Sequence, residues 1–195
     1  MEKIEKREFR FSDMYEKAFD NLCEICKITD KTPSKRKDKT LKLADNVWEI
    51  IKDKKVYLYT RELTKDEMQE ELTGVELSDE GGQKYDVITG GCLYLIVIEE
   101  IKDISDENII ELYYKSTWIE AVVSALVDWT RNCKAKEHHI NKERIISYAP
   151  GMDGNDIRLI KNWLIEMKGK ELGIQIGDYG LIVNADCIVA ALVYV

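Results

Sequence analysis

The stretch Cys92-Leu93-Tyr94-Leu95-Ile96-Val97-Ile98 constrains the fold more than any other part of the chain. It is apolar at almost every position, whereas a strand with one side in water alternates apolar and polar residues. Gly90-Gly91 precedes it. The run therefore predicts a central strand that is covered on both faces.

A long helix is predicted after this strand, from about residue 105, where Ser105-Asp106 can open it, to about residue 133. Its apolar side chains cover more than half of the helix circumference, which is typical of a helix packed on several sides. These residues are Ile109, Ile110, Leu112, Trp118, Ala121, Val122, Ala125, Leu126 and Trp129. We interpret this segment as the core helix.

The N-terminal part is predicted to be helical. Two amphipathic patterns indicate helices over about residues 12–27 and 40–52. The polar segment 29–39 between them contains Pro33 and is interpreted as an exposed loop. Its basic cluster, Lys35-Arg36-Lys37, is short and lies in an acidic chain, so we expect no phosphate or RNA site there.

Shorter elements fill the middle and the C-terminal third. Residues 55–59 predict a strand, and Thr64-x-x-Glu67 is a capping box that opens a short helix stopping at Gly74. Further on, the patterns predict a strand over residues 144–147, a helix over residues 155–168, and paired strands over residues 181–183 and 188–195.

The order of these elements lacks regular strand-helix-strand alternation, which favours an α+β fold. We expect a mixed, mostly antiparallel sheet packed against the long core helix, with an N-terminal helical segment over residues 1–54. The 195 residues are expected to form a single domain, 1–195.

Charge and motif content argue against several function classes. A net charge of −8 is unfavourable for non-specific binding to nucleic acid or to an anionic membrane. No apolar run is long enough to span a membrane and the N-terminus lacks the apolar core of a signal peptide, so we expect a cytoplasmic protein. The chain contains no G-x-G-x-x-G, Walker or G-x-S-x-G motif.

The cysteines predict no disulfide framework, because there are five of them at irregular spacings. Cys23 and Cys26 form a C-x-x-C motif inside an amphipathic helical pattern. Buried thiols on the apolar face of that helix are favoured over a zinc or redox site.

The turn Tyr148-Ala149-Pro150-Gly151-Met152 leads from the predicted strand 144–147 to the helix that follows. Proline presets φ for the second position of a type II turn, and glycine accepts the positive φ of the third. Exposed N–H groups beside a helix N-terminus often hold a ligand. Any strand-to-helix corner needs such a turn, so spacing alone leaves the structural and the ligand-binding interpretations open.

From Thr89 onward, the order of features resembles the activation domain of cobalamin-dependent methionine synthase, including stand-alone relatives of that domain. The segment Ser147-Tyr148-Ala149-Pro150-Gly151-Met152 stands where the family has its signature R-x-x-P-G-Y. The other matching features are Gly91-Cys92 before the apolar strand, Glu120-Ala121 in the long helix, Leu172-Gly173-Ile174, Asp178 and Cys187-Ile188.

The resemblance implies an accessory component of methyltransferase activity in methionine biosynthesis rather than a complete enzyme. In that family, the domain binds S-adenosylmethionine beside this turn and docks on the corrinoid domain. Inactive cob(II)alamin is there reduced by an external electron donor and remethylated. The implied partners are therefore a cobalamin-binding methyltransferase or corrinoid protein, which carries the cobalamin, and an electron donor protein.

The resemblance places the S-adenosylmethionine site at Ser147, Ala149, Pro150, Gly151 and Met152, with no catalytic residue and no metal site. The family's arginine falls at Ser147, its signature tyrosine at Met152, and its near-terminal tyrosine at about Leu192. A guanidinium for the cofactor's carboxylate and an aromatic wall are thus missing, although Arg158 is a candidate substitute for the arginine.

We therefore expect the fold to be retained and S-adenosylmethionine binding to be weakened, altered or lost. The alternative is a non-enzymatic interaction or ligand-binding module on the same fold.

Overall fold

A computed structural model describes residues 3–75, 77–78, 84–104, 108–151, 157–177, 182 and 185–195. The fold is α+β with a five-stranded antiparallel sheet, as the sequence predicted. The strands are β1 (Glu5–Arg10), β2 (Lys55–Leu63), β3 (Leu77–Ser78), β4 (Lys84–Tyr85), β5 (Gly90–Ile98), β6 (Ile145–Tyr148) and β7 (Cys187–Tyr194). The large sheet has the order β1-β2-β5-β7-β6, and β3 pairs with β4.

Five α-helices accompany these strands in the described part of the chain. They are α1 (Tyr15–Ile25), α2 (Ser34–Ile51), α3 (Lys65–Glu71), α4 (Ile109–Glu137) and α5 (Leu159–Glu166). None of the helices in the described ranges is long and apolar enough to cross a membrane.

The chain forms two compact units. The first, here called the sheet unit, consists of Met1–Glu8, Tyr57–Ile98 and Arg131–Val195. The second, here called the helical unit, consists of Phe9–Val56 and Glu99–Thr130.

The core of the sheet unit lies between α3, α5 and one face of the sheet. Because side chains alternate along a strand, Leu93 and Leu95 of β5 share this face with Val189, Ala191 and Val193 of β7. The helices contribute Met68, Trp163, Leu164 and other buried side chains. The opposite face of β5 is also buried, which confirms the predicted central strand covered on both faces.

Aromatic side chains form the core of the helical unit. The Trp118 ring is fully buried and lies 4.4 Å from the Trp48 ring, measured between centroids. Trp118 Nε1 donates a 2.9 Å hydrogen bond to the Ala44 carbonyl, which joins α4 to α2. The Asn21 amide likewise donates to the Ala121 carbonyl at 3.1 Å, so α1 is fixed against α4.

The structure corrects the loop interpretation of residues 29–39. Helix α2 begins at Ser34, directly after the N-cap residue Pro33. Lys35-Arg36-Lys37 therefore lies in the first turns of α2. Proline is well tolerated at the start of a helix, and lysine and arginine are good helix formers. The apolar periodicity of α2 starts only at Leu41, which is why the pattern predicted a later start.

Two further differences concern apolar side chains and strand pairing. Ile109 and Ile110, predicted to be in the core, are 79% and 55% exposed at the start of α4. Strand β7 pairs with β5 and β6, and Ile182, from the predicted partner strand, forms an isolated bridge with Ile176. Residues 181 and 183 of that predicted strand lie outside the described residues. The predicted helix openings at Ser105-Asp106 and Asn155 lie outside the described residues.

Candidate functional site

The residues predicted for the cofactor site are brought together at the end of β6. Ser147 is exposed in this edge strand, Ala149 is half-buried and Pro150 is buried. Gly151 is exposed and has φ +80°, the positive value that the turn prediction required. Met152 lies outside the described residues.

The turn is anchored to the core through Tyr148. This ring is buried and meets the Trp163 ring edge-on, with centroids 5.9 Å apart. Trp163 Nε1 in turn donates a 2.8 Å hydrogen bond to Glu71 Oε2 at the end of α3. Burial raises the pKa of Glu71, and the hydrogen bond from Trp163 partly opposes this rise. The position of the turn is thus set by packing between β6, α5 and α3.

Ser147 lies directly opposite Leu192 in the β6–β7 pairing. The places of the family's arginine and of its near-terminal tyrosine are therefore cross-strand neighbours on one face of the sheet. On the same face, the Tyr94 hydroxyl of β5 lies 3.3 Å from Ser147 Oγ, at hydrogen-bond distance. Tyr94 pairs with Ala190 of β7, the strand that lies between β5 and β6. Sequence reasoning missed Tyr94 because its contact with Ser147 depends on the strand order.

Arg158, the arginine that sequence analysis put forward as a substitute, is exposed and is the N-cap residue of α5. Arg144 is also exposed and belongs to a 3-10 turn just before β6. Neither arginine lies in the β5–β7–β6 part of the sheet that carries Ser147 and Tyr94.

A second polar group in the sheet unit, here called the Lys134 cluster, was not predicted. It consists of Glu62, Lys134, Glu137, His138 and Tyr194. Lys134 Nζ, on a side chain only 9% exposed, lies 2.5 Å from Glu62 Oε1 and 2.8 Å from Glu137 Oε2. The other Glu62 oxygen accepts from the Tyr194 hydroxyl at 3.1 Å and lies 3.2 Å from His138 Nε2.

A cavity of about 300 Å³ beside this cluster is lined by Lys3, Glu5, Thr60, Glu62, Lys134 and Glu137.

The Lys134 cluster has the ligand types of a metal site, but its own ammonium group takes the place of a cation. Atoms of Glu62, Glu137 and His138 that could bind an ion all lie within 4.8 Å of one another. Burial lowers the pKa of Lys134, but its hydrogen bonds to Glu137 and Glu62 outweigh burial, so the net pKa is raised and the side chain stays charged. The arrangement therefore acts as a structural ion-pair network.

Replacing Lys134 by methionine is expected to lower the free energy of unfolding by about 2 kcal/mol. Removing one partner from a buried ion pair costs about 3–5 kcal/mol, and the partial exposure of Glu62 and Glu137 reduces this cost. Urea unfolding measures the change. Lys136→Met, on an exposed residue of the same helix, is the control and is expected to change stability by less than about 0.5 kcal/mol. Equal costs for the two variants would contradict the network.

The cost of Lys134→Met is expected to depend on pH. The hydrogen bond from Lys134 lowers the pKa of Glu137 below 4.5, so the stability contributed by Glu137 is lost as the pH falls through this lowered pKa. Because the pKa of Lys134 is raised in the folded state, this side chain stabilises the fold below pH 10.5. Its contribution is lost as the pH rises through the pKa of the folded state. The loss of unfolding free energy caused by Lys134→Met should therefore be largest between these limits and should become smaller in acid, where Glu137 is protonated.

Burial raises the pKa of four of the cysteine thiols, those of Cys23, Cys26, Cys92 and Cys187. Cys23 and Cys26 are half-buried and unbridged in the helical unit, and burial raises the pKa of both. Cys92 is buried in β5, and burial raises the pKa of Cys187 to about 11. Because the thiolate is the reactive form, these environments favour structural roles. Cys23 and Cys26 are half-buried, not fully buried as the sequence interpretation had them.

No protein-family model and no curated protein matches this chain.

Proposed function

We propose that this protein is a stand-alone homologue of the activation domain of cobalamin-dependent methionine synthase. In this role it docks on a cobalamin-binding methyltransferase or corrinoid protein and binds S-adenosylmethionine beside the turn after β6. The observation that carries the proposal is the turn itself: a buried Pro150, and an exposed Gly151 at φ +80°, at the end of a sheet-edge strand. The order of sequence features from Thr89 onward supports the same assignment.

The residues around the turn fit a small amino-acid ligand. Ser147 and Gly151 are exposed, so a ligand can reach both the strand and the turn. A Cβ at Gly151 would lie 3.4 Å from the Ile157 side chain, so any larger residue would fill the space beside the turn. Ala149, Pro150 and Gly151 would provide backbone contacts, and the bound cofactor supplies a methyl group.

A calorimetric titration with S-adenosylmethionine tests the proposal. We expect weak binding, in the micromolar range, because Ser147 replaces the family's arginine. No heat of binding at millimolar ligand would contradict the cofactor part of the proposal and favour a module that binds only other proteins. Co-purification with a cobalamin-loaded methyltransferase from the same organism tests the docking part separately.

Replacing Ser147 by arginine is expected to tighten S-adenosylmethionine binding by about tenfold or more. A guanidinium–carboxylate hydrogen bond contributes about 1.5–3 kcal/mol, and each 1.4 kcal/mol is about tenfold in affinity. Ser147 is exposed on an edge strand, so the longer side chain can be accommodated. Ser147→Gln is the control, since it places N–H donors on a flexible side chain without the charge. An equal gain with glutamine would show that charge recognition is not the cause.

A further inference from the structure

Three side chains of the Lys134 cluster bring together the donor atoms of a metal site. Glu62 lies in β2, Glu137 ends α4, and His138 follows it directly. One donor atom of each lies within 4.8 Å of the others, and Glu62 Oε2 lies 3.2 Å from His138 Nε2. Zinc binds carboxylate oxygen and imidazole nitrogen at about 2.0–2.2 Å, so two ligands of a tetrahedral ion lie about 3.4 Å apart. The spacing of Glu62 and His138 is therefore close to that of two zinc ligands.

The surroundings of these residues hold them in place. Metal ligands are oriented by outer hydrogen bonds to neighbouring groups. The Tyr194 hydroxyl donates to Glu62 Oε2 at 3.1 Å, and the Tyr194 ring lies 4.9 Å from the His138 ring, measured between centroids. Lys134 Nζ contacts both Glu62 and Glu137 and so keeps the two carboxylates close together. The three donors are thus positioned before any ion binds.

The cavity beside the cluster provides space and a favourable charge for an ion. Its volume of about 300 Å³ is larger than the roughly 30 Å³ that one water molecule occupies in the liquid, so an ion can enter with bound water. The charged groups that line it are the carboxylates of Glu5, Glu62 and Glu137 and the ammonium groups of Lys3 and Lys134. Three negative charges against two positive charges favour the entry of a cation.

We propose that Glu62, Glu137 and His138 bind a zinc ion in exchange for the Lys134 ammonium group. A nitrogen ligand beside two carboxylates favours zinc over magnesium and calcium, which are bound by oxygen ligands. Lys134 Nζ contacts Glu62 Oε1 and Glu137 Oε2, so the ammonium group and the metal compete for the same carboxylates. The ion-pair network is the metal-free state of this site. Neither Ser147 nor the turn after β6 belongs to it, so the inference does not rest on the proposed function.

The first experiment follows zinc binding to the wild-type protein by NMR. The chain contains two histidines, His138 and His139, and their ring C–H resonances are assigned by the loss of one set in His139→Ala. Zinc ions are expected to shift the His138 resonances strongly and those of His139 much less. Magnesium ions at the same concentration should shift neither. Unmoved His138 resonances with zinc, or equal shifts of the two histidines, would overturn the site.

Calorimetric titration with zinc ions tests the carboxylate ligands. Glu62→Gln is expected to weaken zinc binding by about tenfold or more, because a neutral amide replaces the carboxylate. This variant keeps both histidines, so an unchanged affinity would show that the histidines alone bind the metal and that the proposed site is wrong. His139→Ala is the matched control and should retain the wild-type affinity.

Lys134→Met tests the exchange of ammonium for metal. Removing the ammonium group frees both carboxylates, so the affinity for zinc is expected to rise by about tenfold or more. A ligand that binds only the folded state stabilises it, so zinc should also raise the unfolding midpoint of Lys134→Met more than that of the wild type. Equal or weaker zinc binding by Lys134→Met would contradict the exchange.

Discussion

Replacing Trp163 by alanine is expected to lower the free energy of unfolding by about 4 kcal/mol, as is typical for truncation of a fully buried tryptophan. Trp163 is 0% exposed in the core of the sheet unit. Its loss removes the ring that supports Tyr148 and leaves the half-buried Glu71 carboxylate without its indole donor. Urea unfolding measures the cost. The turn after β6 loses the ring that packs against Tyr148 in the same variant.

The control for Trp163→Ala is Trp129→Ala. Trp129 is half-buried in the helical unit, where its ring meets Phe9 edge-on with centroids 5.1 Å apart. Trp129 buries less apolar surface than Trp163, so the expected loss of unfolding free energy is smaller, about 2 kcal/mol. A smaller cost for Trp163→Ala than for Trp129→Ala would contradict the role given to Trp163.

Trp163→Phe separates packing from hydrogen bonding. Most of the ring packing is kept, so the cost at neutral pH is expected to be about 2 kcal/mol. Burial raises the pKa of Glu71 above its usual value of 4.5. Glu71 therefore favours the folded state below pH 4.5, and this contribution is lost as the pH rises through the pKa of the folded state. Without the indole donor the folded pKa rises further. The cost of Trp163→Phe should therefore be larger at neutral pH than in acid.

Replacing Gly91 by alanine is expected to destabilise the protein by about 3 kcal/mol through overpacking. A Cβ at this position of β5 would lie 2.7 Å from the Leu192 carbonyl oxygen and would also clash with the Met68 side chain. Met68 is fully buried in α3, and Leu192 belongs to the β7 backbone, so neither can move without disturbing the core. Thermal or urea unfolding measures the effect.

Gly173→Ala is the matched control for Gly91→Ala. Gly173 has φ +78°, and a Cβ there would meet no atom within 4 Å, so this variant tests backbone strain without a clash. The expected cost is about 1 kcal/mol. If Gly91→Ala costs no more than Gly173→Ala, the close approach of α3 and β7 to Gly91 does not matter for stability.

The sequence predicted those elements whose signals are local. The Thr64–Glu67 capping box is present, with the Thr64 N–H donating to Glu67 Oε2 at 2.7 Å, because both partners lie within one helical turn. Strand β1 was missed because it is charged, exposed at nearly every position and paired only at the sheet edge. Its side chains show no alternation, so only its pairing defines it as a strand.

The sequence predicted the part of the candidate site that is formed by neighbouring residues, but not the contacts between residues that are distant in sequence. The turn at Pro150-Gly151 follows from residue types, and Gly151 has the expected positive φ. Tyr94 is distant from Ser147 in sequence, and the strand order β5-β7-β6 determines its place. The Lys134 cluster was missed for the same reason, since Glu62 comes from β2 and Tyr194 from β7.

The place of β7 between β5 and β6 also has a consequence for folding kinetics. β7 follows both of these strands in the chain, yet it is the strand that joins them. Until β7 has been synthesised, β5 and β6 cannot be part of one sheet, and one edge of the apolar strand β5 remains unpaired. Closing such distant pairs is slow, and unpaired apolar edges promote association with other chains. The period before β7 docks is therefore when this protein is most exposed to aggregation during synthesis.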